Sequence, residues 1–377
     1  MSSENRLLSK RDADISVFSS SPPTPSKNPY FLFSEFHSRS LLPYSHIIME
    51  LTAFRHQVGG HFGILSCNGH VAKPSNLREM AFYKVMNSEL KHFSPAFCKE
   101  VDVRASVNPS TGQIIVETLE KLDCHKKKSS SKHERSSTGF RQTSDGRVTV
   151  DTEKQWNRWA AECQCKVVER MLKEPDPTPF LLLENVVAHF TRPCVLDLKI
   201  GTRQHGDDAS ESKRHRQLMK CRQSTSATLG VRVVGMQLYE QETRSYSYVE
   251  KQEGRRIDAV GFRRHVRRFI KCCGRSRSER IRQKLSKLRS LLAEFEGYRF
   301  FSASILIAFD AEAADSSSDD AVKVCIIDFA HSTFSGFFED LAYSGADEGC
   351  LLGLDSIVEA MEPNITKDPP SSYEKKI

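Results

Sequence analysis

Residues 193–201 read Pro-Cys-Val-Leu-Asp-Leu-Lys-Ile-Gly, an apolar strand broken by two charged side chains, Asp197 and Lys199. Strand side chains alternate between faces, so this carboxylate and this ammonium project together while Leu196, Leu198 and Ile200 point the other way into a core. A chain with such a segment has to place it in a sheet whose second face meets something polar. Taken alone, the pair reads first as an exposed ion pair, which contributes little. The next residues, Thr202-Arg203-Gln204-His205-Gly206-Asp207-Asp208-Ala209-Ser210, are too polar for a connection with a structural role alone.

A second apolar strand ends in acid, at Cys325-Ile326-Ile327-Asp328-Phe329-Ala330-His331. A carboxylate there needs a cation, and magnesium bridging nucleotide phosphates is one candidate, a turn-capping aspartate the other. Lys73 closes a predicted hairpin whose Asn68-Gly69 suits a type I′ turn. Kinase-like folds hold a lysine on a small sheet above nucleotide phosphates, and Glu79 on the predicted helix Asn76 to about Leu90 is placed to orient it. Lys213, Arg216, Gln217 and Lys220 recur at spacings of three and four, so a helix presents three cations and an amide as one stripe. Such a stripe suits a polyphosphate, or is simply a solvated basic face.

The formal charge of +7, from 55 basic and 48 acidic residues, is concentrated in a few segments, which fits a polyanionic partner. The eleven cysteines show no C-x-x-C zinc pairing and several sit in apolar runs, so reduced thiols are expected. No apolar run reaches the ~20 residues of a spanning helix. Residues 1–50 are Ser/Pro-rich and predicted disordered, residues 124–150 a basic low-complexity insert, 310–320 an acidic loop, and 364–377 a flexible tail. Ile281, Leu285, Leu288, Leu292 and Phe295 mark one buried helical face.

Pro193–Gly201 matches the P-x-x-x-D-x-K-x-G signature of the inositol polyphosphate kinases. The run from Leu182-Leu183-Glu184-Asn185 to Ser210 resembles the inositol hexakisphosphate kinase branch of that family. So do Lys220 to Ala227, Gly230 to Tyr239, His56-Gln57-Val58-Gly59-Gly60-His61, Tyr298-Arg299-Phe300 and Ile327 to His331. The resemblance covers roughly residues 54–360 and implies an α+β, two-lobed, protein-kinase-like fold with an antiparallel sheet in each lobe and ATP in the cleft between them. On this reading 51–184 form the N-lobe and 185–363 the C-lobe. Lys73 would contact ATP phosphates, Glu184 and Val186 the adenine, and Asp328 would hold Mg2+. Asp197 and Lys199 would be catalytic, Asp197 near the nucleotide and Lys199 also against the substrate. Arg203, Lys213, Arg216, Gln217, Lys220 and His331 would bind the substrate.

The implied activity is transfer of the ATP γ-phosphate to a phosphate of inositol hexakisphosphate or pentakisphosphate, making diphosphoinositol polyphosphates. The alternative in the family is a multikinase or a trisphosphate 3-kinase. Two departures stand out: Ser302-Ala303-Ser304 lacks a middle hydroxyl that relatives carry, and Gln252-Glu253 replaces a Tyr-His pair. A different class, a nucleic-acid- or membrane-binding protein, is suggested by the basic run Arg255 to Arg289, but its aromatics are not interleaved for base stacking. A monomer in the cytoplasm, the nucleus or both is expected.

Overall fold

A computed structural model describes residues 49–60, 62–118, 120, 139–150 and 157–362. The tail expected at 1–50, apart from its last two residues, the first part of the insert expected at 124–150, and the tail expected at 364–377 lie outside the described residues.

Short strands β1 (Met49–Glu50) and β2 (Thr52–Ala53) precede the hairpin of β3 (Leu65–Cys67) and β4 (His70–Pro74). Asn68 and Gly69 turn it with φ of 42° and 76°, the left-handed pair that a type I′ turn requires. Two helices follow where the spacing predicts one: α1 (Leu77–Val85) and α2 (Ser88–Lys91). The break lies at Asn87, which leaves the helical region and caps the second helix by accepting Glu89 N–H at 2.8 Å. The sheet continues through β5 (Phe97–Val107), β6 (Gln113–Thr118), β7 (Phe140–Gln142) and β8 (Val148–Val150). After α3 (Arg158–Lys173) comes β9 (Thr178–Glu184). The antiparallel order is β2-β3-β4-β9-β5-β6-β7-β8, with β1 beside β6.

Residues 139–150 correct part of the expectation of a polar insert at 124–150, because β7 and β8 form a hairpin that extends the sheet. Phe140 and Val148 are buried with Val116 and Val168, so this piece has apolar side chains enough to pack. Ala160, Gln164, Val168 and Met171 are the buried face of α3, at helical spacing, and close the core below the sheet.

The second sheet contains β10 (Pro193–Ile200); after α4 (Glu211–Arg222) and α5 (Ser226–Leu229) come β11 (Val231–Glu240) and β12 (Ser245–Val249). Helices α6 (Lys251–Arg256), α7 (Ala259–Cys273) and α8 (Arg275–Ala293) lead to β13 (Ser304–Asp310) and β14 (Val322–Ile327), and α9 (Glu348–Met361) ends the described chain. The order β12-β11-β10-β13-β14 puts the Asp-Lys strand at the centre, flanked on both sides. One sheet face packs on α7, α8 and α9: Leu196, Leu198, Ile200 and Val233 share a cluster with Phe262, Val266, Ile281, Leu285, Leu354 and Ile357. Covering that face leaves the other free for chemistry.

The basic run over α7 and α8 has an internal complement in the acidic loop. Asp315 accepts Ser276 N–H and Arg277 N–H, each at 2.9 Å, and so caps α8, which lacks a cap of its own. Arg277 is buried against the Phe309 ring and donates to Asp310 O at 2.6 Å, and Lys284 pairs with Asp319 at 3.4 Å. Nine of the described cysteines carry free thiols, in line with the reduced state expected; Cys98 departs from it and is disulfide-bonded. Among the described residues no helix is long and apolar enough to cross a membrane.

Candidate active site

Strand β10 pairs with β13 without a break, and with β11 through a bulge: Asp197 faces Gly235, Leu198 faces Val233, and Val234 is the extra residue. Asp197 and Lys199 thus share the face turned away from the helices. Above them lies the segment His56-Gln57-Val58-Gly59-Gly60, which approaches closely because two glycines leave room. A Cβ on Gly59 would lie 1.9 Å from Asp197 Oδ2, and one on Gly235 would lie 1.9 Å from Val58 O. Lys251 holds the segment from the side, donating to Gly60 O at 2.6 Å with its ammonium 5.2 Å from the Trp159 ring centroid. Gly235→Ala is expected to lower unfolding free energy by about 1–3 kcal/mol through overpacking against backbone. Urea denaturation reads it, and an unchanged midpoint would mean that residues 56–58 lift off freely.

Lys73 on β4 donates to Glu79 Oε1 at 2.9 Å and to Asp328 Oδ1 at 2.6 Å, joining the hairpin, α1 and the end of β14. Burial opposes its charge, but Asp328 and Glu79 outweigh burial and hold the ammonium above its ordinary range. Asp328 has φ 68°, in the left-handed region that aspartate and asparagine enter more readily than other non-glycine residues, and its surroundings hold it there. They do so through the next residue. Phe329 stacks on Phe82 (4.8 Å between centroids, 13° between planes) and donates its N–H to Glu79 Oε1 at 3.3 Å.

Asp197 is nearly buried, and burial together with the Asp328 carboxylate pushes it up to about 6. Burial drives Lys199 down to about 8, with Asp328 resisting and Arg232 assisting. Its ammonium donates to Ser302 O and, at 2.9 Å, to Ser302 Oγ. Ser304 lies opposite Lys199 on β13, while Ala303 packs in the apolar core. The missing middle hydroxyl therefore falls on the core side and removes nothing from the cleft.

Asp197, Asp328, Lys73, Glu184 and Val186 line one cleft. Its inner wall is apolar (Val58, Ile64, Val71, Leu183, Val195, Leu306), and Val186 N–H at the connection between the sheets has no hydrogen-bond partner among the described residues. That is a slot for a flat aromatic base with a donor at its edge. Deeper in, Asp197 Oδ1, Glu79 Oε2 and the Tyr83 hydroxyl are buried without hydrogen-bond partners among the described residues.

The stripe on α4 begins beside His331. Lys213 and Gln217 are half-buried, Arg216 and Lys220 exposed, and burial with the Lys213 charge lowers His331 to about 4. Arg203 is placed otherwise. Its guanidinium donates to Tyr343 Oη at 2.9 Å and to His205 O at 3.0 Å, pairs with Asp207, and lies 4.0 Å from the Phe301 ring centroid. Gln204 bonds Ile200 O and Gly201 O. Much of the polar run after Gly201 is thus bound to itself, with Asp208, 3.8 Å from His331 Nδ1, turned to the stripe. The spacing argument missed Arg232, opposite Lys199 on β11, and Arg255 on α6. The signal for the first was an arginine inside an otherwise apolar strand.

A family model described as inositol polyphosphate kinase matches residues 180–362. Inositol hexakisphosphate kinase 1 of Mus musculus is 35% identical, over 83% of this chain and 93% of its own. Inositol hexakisphosphate kinase 3 of Homo sapiens is 32% identical, over 83% of this chain and 95% of its own. Among solved structures, an inositol phosphate multikinase from S. cerevisiae in complex with ADP and Mn2+ covers 78% of this chain and 98% of its own at 18% identity, with a TM-score of 0.49.

Proposed function

The chain belongs to the inositol polyphosphate kinase family, and from that we propose that it transfers the γ-phosphoryl group of ATP to a phosphate of inositol hexakisphosphate. The observation that carries the reading is the convergence of Asp197 and Asp328, from the centre of one strand and the end of another, on a cleft that also holds Lys73. The base occupies the apolar slot and accepts from Val186 N–H. Lys73 then meets the nucleotide phosphates, with Glu79 fixing its direction.

The residues fit a divalent cation. Two carboxylates supply hard oxygen donors, and Asp197 Oδ1 is buried without a hydrogen-bond partner among the described residues. Among the described residues no group of three or more His, Cys, Asp or Glu is placed to hold a metal ion by itself, so a cation here would complete its shell with waters and phosphate oxygens. Asp328 would hold Mg2+ with Asp197 beside it; bound there, the ion would neutralise charge on the nucleotide phosphates.

On the acceptor side Lys199 supplies a fixed cation, gripped by Ser302, and the α4 stripe holds the ring phosphates. A phosphate oxygen attacks the γ-phosphorus, a new P–O bond forms and the bond to the bridging oxygen of ADP breaks. Such an acceptor is already anionic, so no base has to remove a proton, and positioning with charge neutralisation suffices. A ring hydroxyl as acceptor, as in a trisphosphate, would need one.

Purified protein incubated with ATP, Mg2+ and inositol tris-, tetrakis-, pentakis- and hexakisphosphate is expected to turn the last into a diphosphoinositol product. Conversion of only the tris- or tetrakisphosphate would replace this reading by a multikinase. No product from any of them would overturn it.

A further inference from the structure

Arg232 stands in the middle of a buried strand and is 9% exposed. It pairs across the ladder with Lys199, so it faces the side of the sheet that carries the Asp197-Lys199 motif. Burying a guanidinium without a carboxylate is costly. Yet among the described residues Arg232 makes no ion pair, and its hydrogen bond is a long one, Nη1 to Val233 O at 3.3 Å.

The elements packed against it bring more positive charge. Gly254 lets α6 touch β11, since a Cβ there would lie 2.6 Å from Val233 O, and Arg255 follows directly in the chain. Cys221, buried one residue before the end of α4, is near enough to Arg232 for their charges to interact, and so is Lys220, the residue before it. Burial and the Arg255 charge lower Arg232 to about 10, and burial with Arg255, Arg216 and Arg232 lowers Lys220. From β10 the groups facing it are Lys199 and Asp197, and from α6 also Lys251; Asp197 is the one acid among them. Arg216, Lys220, Arg232 and Arg255 form no ion pair with a described carboxylate. A cluster of unpaired cations around a buried arginine is stable as a receptor for a strong anion, and the planar guanidinium fork matches a phosphate monoester.

We propose that Arg232, Arg255 and Lys220 form a second phosphate subsite, which takes a ring phosphate remote from the acceptor and so selects fully phosphorylated rings. The inference rests on the inositol phosphate kinase reading above and goes beyond it in naming what sets substrate preference. A trisphosphate lacks the phosphates to fill the acceptor position, Lys213, Arg216 and Gln217 on the α4 stripe, and this subsite, to which Lys220 at the end of the stripe belongs, all together.

The test compares Arg232→Met, which keeps the volume of the side chain, Arg232→Lys, and the surface double variant Lys220→Ala/Arg255→Ala with wild type. For each, kcat and KM are measured on hexakisphosphate and trisphosphate. The ratio of kcat/KM for hexakisphosphate over trisphosphate is expected to fall about 10- to 100-fold in Arg232→Met and in the double variant, with partial recovery in Arg232→Lys. The change should lie in KM. An equal loss on both substrates means that Arg232 is structural and overturns the subsite, and so does an unchanged ratio. Should Arg232→Met fail to fold, the double variant, confined to partly exposed side chains, decides the matter. Calorimetric binding of inositol hexakisphosphate without nucleotide separates the two readings. Wild type that binds through these residues but transfers nothing sinks the kinase reading alone; normal turnover with unaltered binding in the variants sinks the subsite alone.

Discussion

Asp328→Asn is expected to cut kcat about 10³-fold, the scale on which removing a preorganised charge from a transferring group acts, while unfolding stays cooperative. The two consequences separate because the side chain has one role and its backbone another. The carboxylate answers Lys73 at 2.6 Å and faces the cleft. The backbone, at φ 68°, is held by the stack of Phe329 on Phe82 and by the bond from Phe329 N–H to Glu79, neither of which involves the side chain. Asparagine keeps the shape and tolerates a left-handed φ well. Lys73 then retains Glu79 but loses its second carboxylate, and the nucleotide phosphates lose the anchor for their counter-ion. Turnover by product formation and stability by calorimetry are read on the same preparation. Turnover within a few-fold of wild type would remove Asp328 from its role, and loss of cooperative unfolding would show that the charge serves the fold instead.

What the sequence let one read depended on how local the cause was. The Asn68-Gly69 turn, the buried stripe of α8 and the shared face of Asp197 and Lys199 follow from neighbouring residues, and each is present. Strand β5 carried a period-two signal, with Val101 and Val103 buried between exposed residues, which the polar content of the segment masked. The split between α1 and α2 came from a single cap at Asn87. The bulge at Val234 could not be read at all, because it exists only when β10 and β11 are laid side by side. Arg232 was missed for that reason: its face is set by the register, and only the register shows that it looks at Lys199. Arg203 illustrates the reverse. The family resemblance gave it a place against the substrate, and only the fold shows that its guanidinium also meets Tyr343 and Phe301, more than ninety residues away.

A bell-shaped pH profile of kcat/KM is the second large effect, with an acid limb near Asp197 at about 6 and an alkaline limb near Lys199 at about 8. The signs follow from which form each group needs. Asp197 must be anionic, so activity falls as pH drops below its raised value; Lys199 must be cationic, so activity falls as pH climbs past its lowered value. Removing the charge with Lys199→Met should cost about 10²- to 10³-fold in kcat and abolish the alkaline limb near 8. Lys199→Arg carries a charge that does not titrate in this range, so it should restore part of the rate and carry the limb well above 8, though its fork fits the Ser302 cradle poorly. Arg232 offers a check on the cause. Burial is the main reason for the low value of Lys199, and the like charge of Arg232 adds to it. Arg232→Met should therefore move the alkaline limb upward, by less than Lys199→Arg does. If the limb near 8 persists in Lys199→Met, another group sets it, and the proposed place of Lys199 in the transfer step fails.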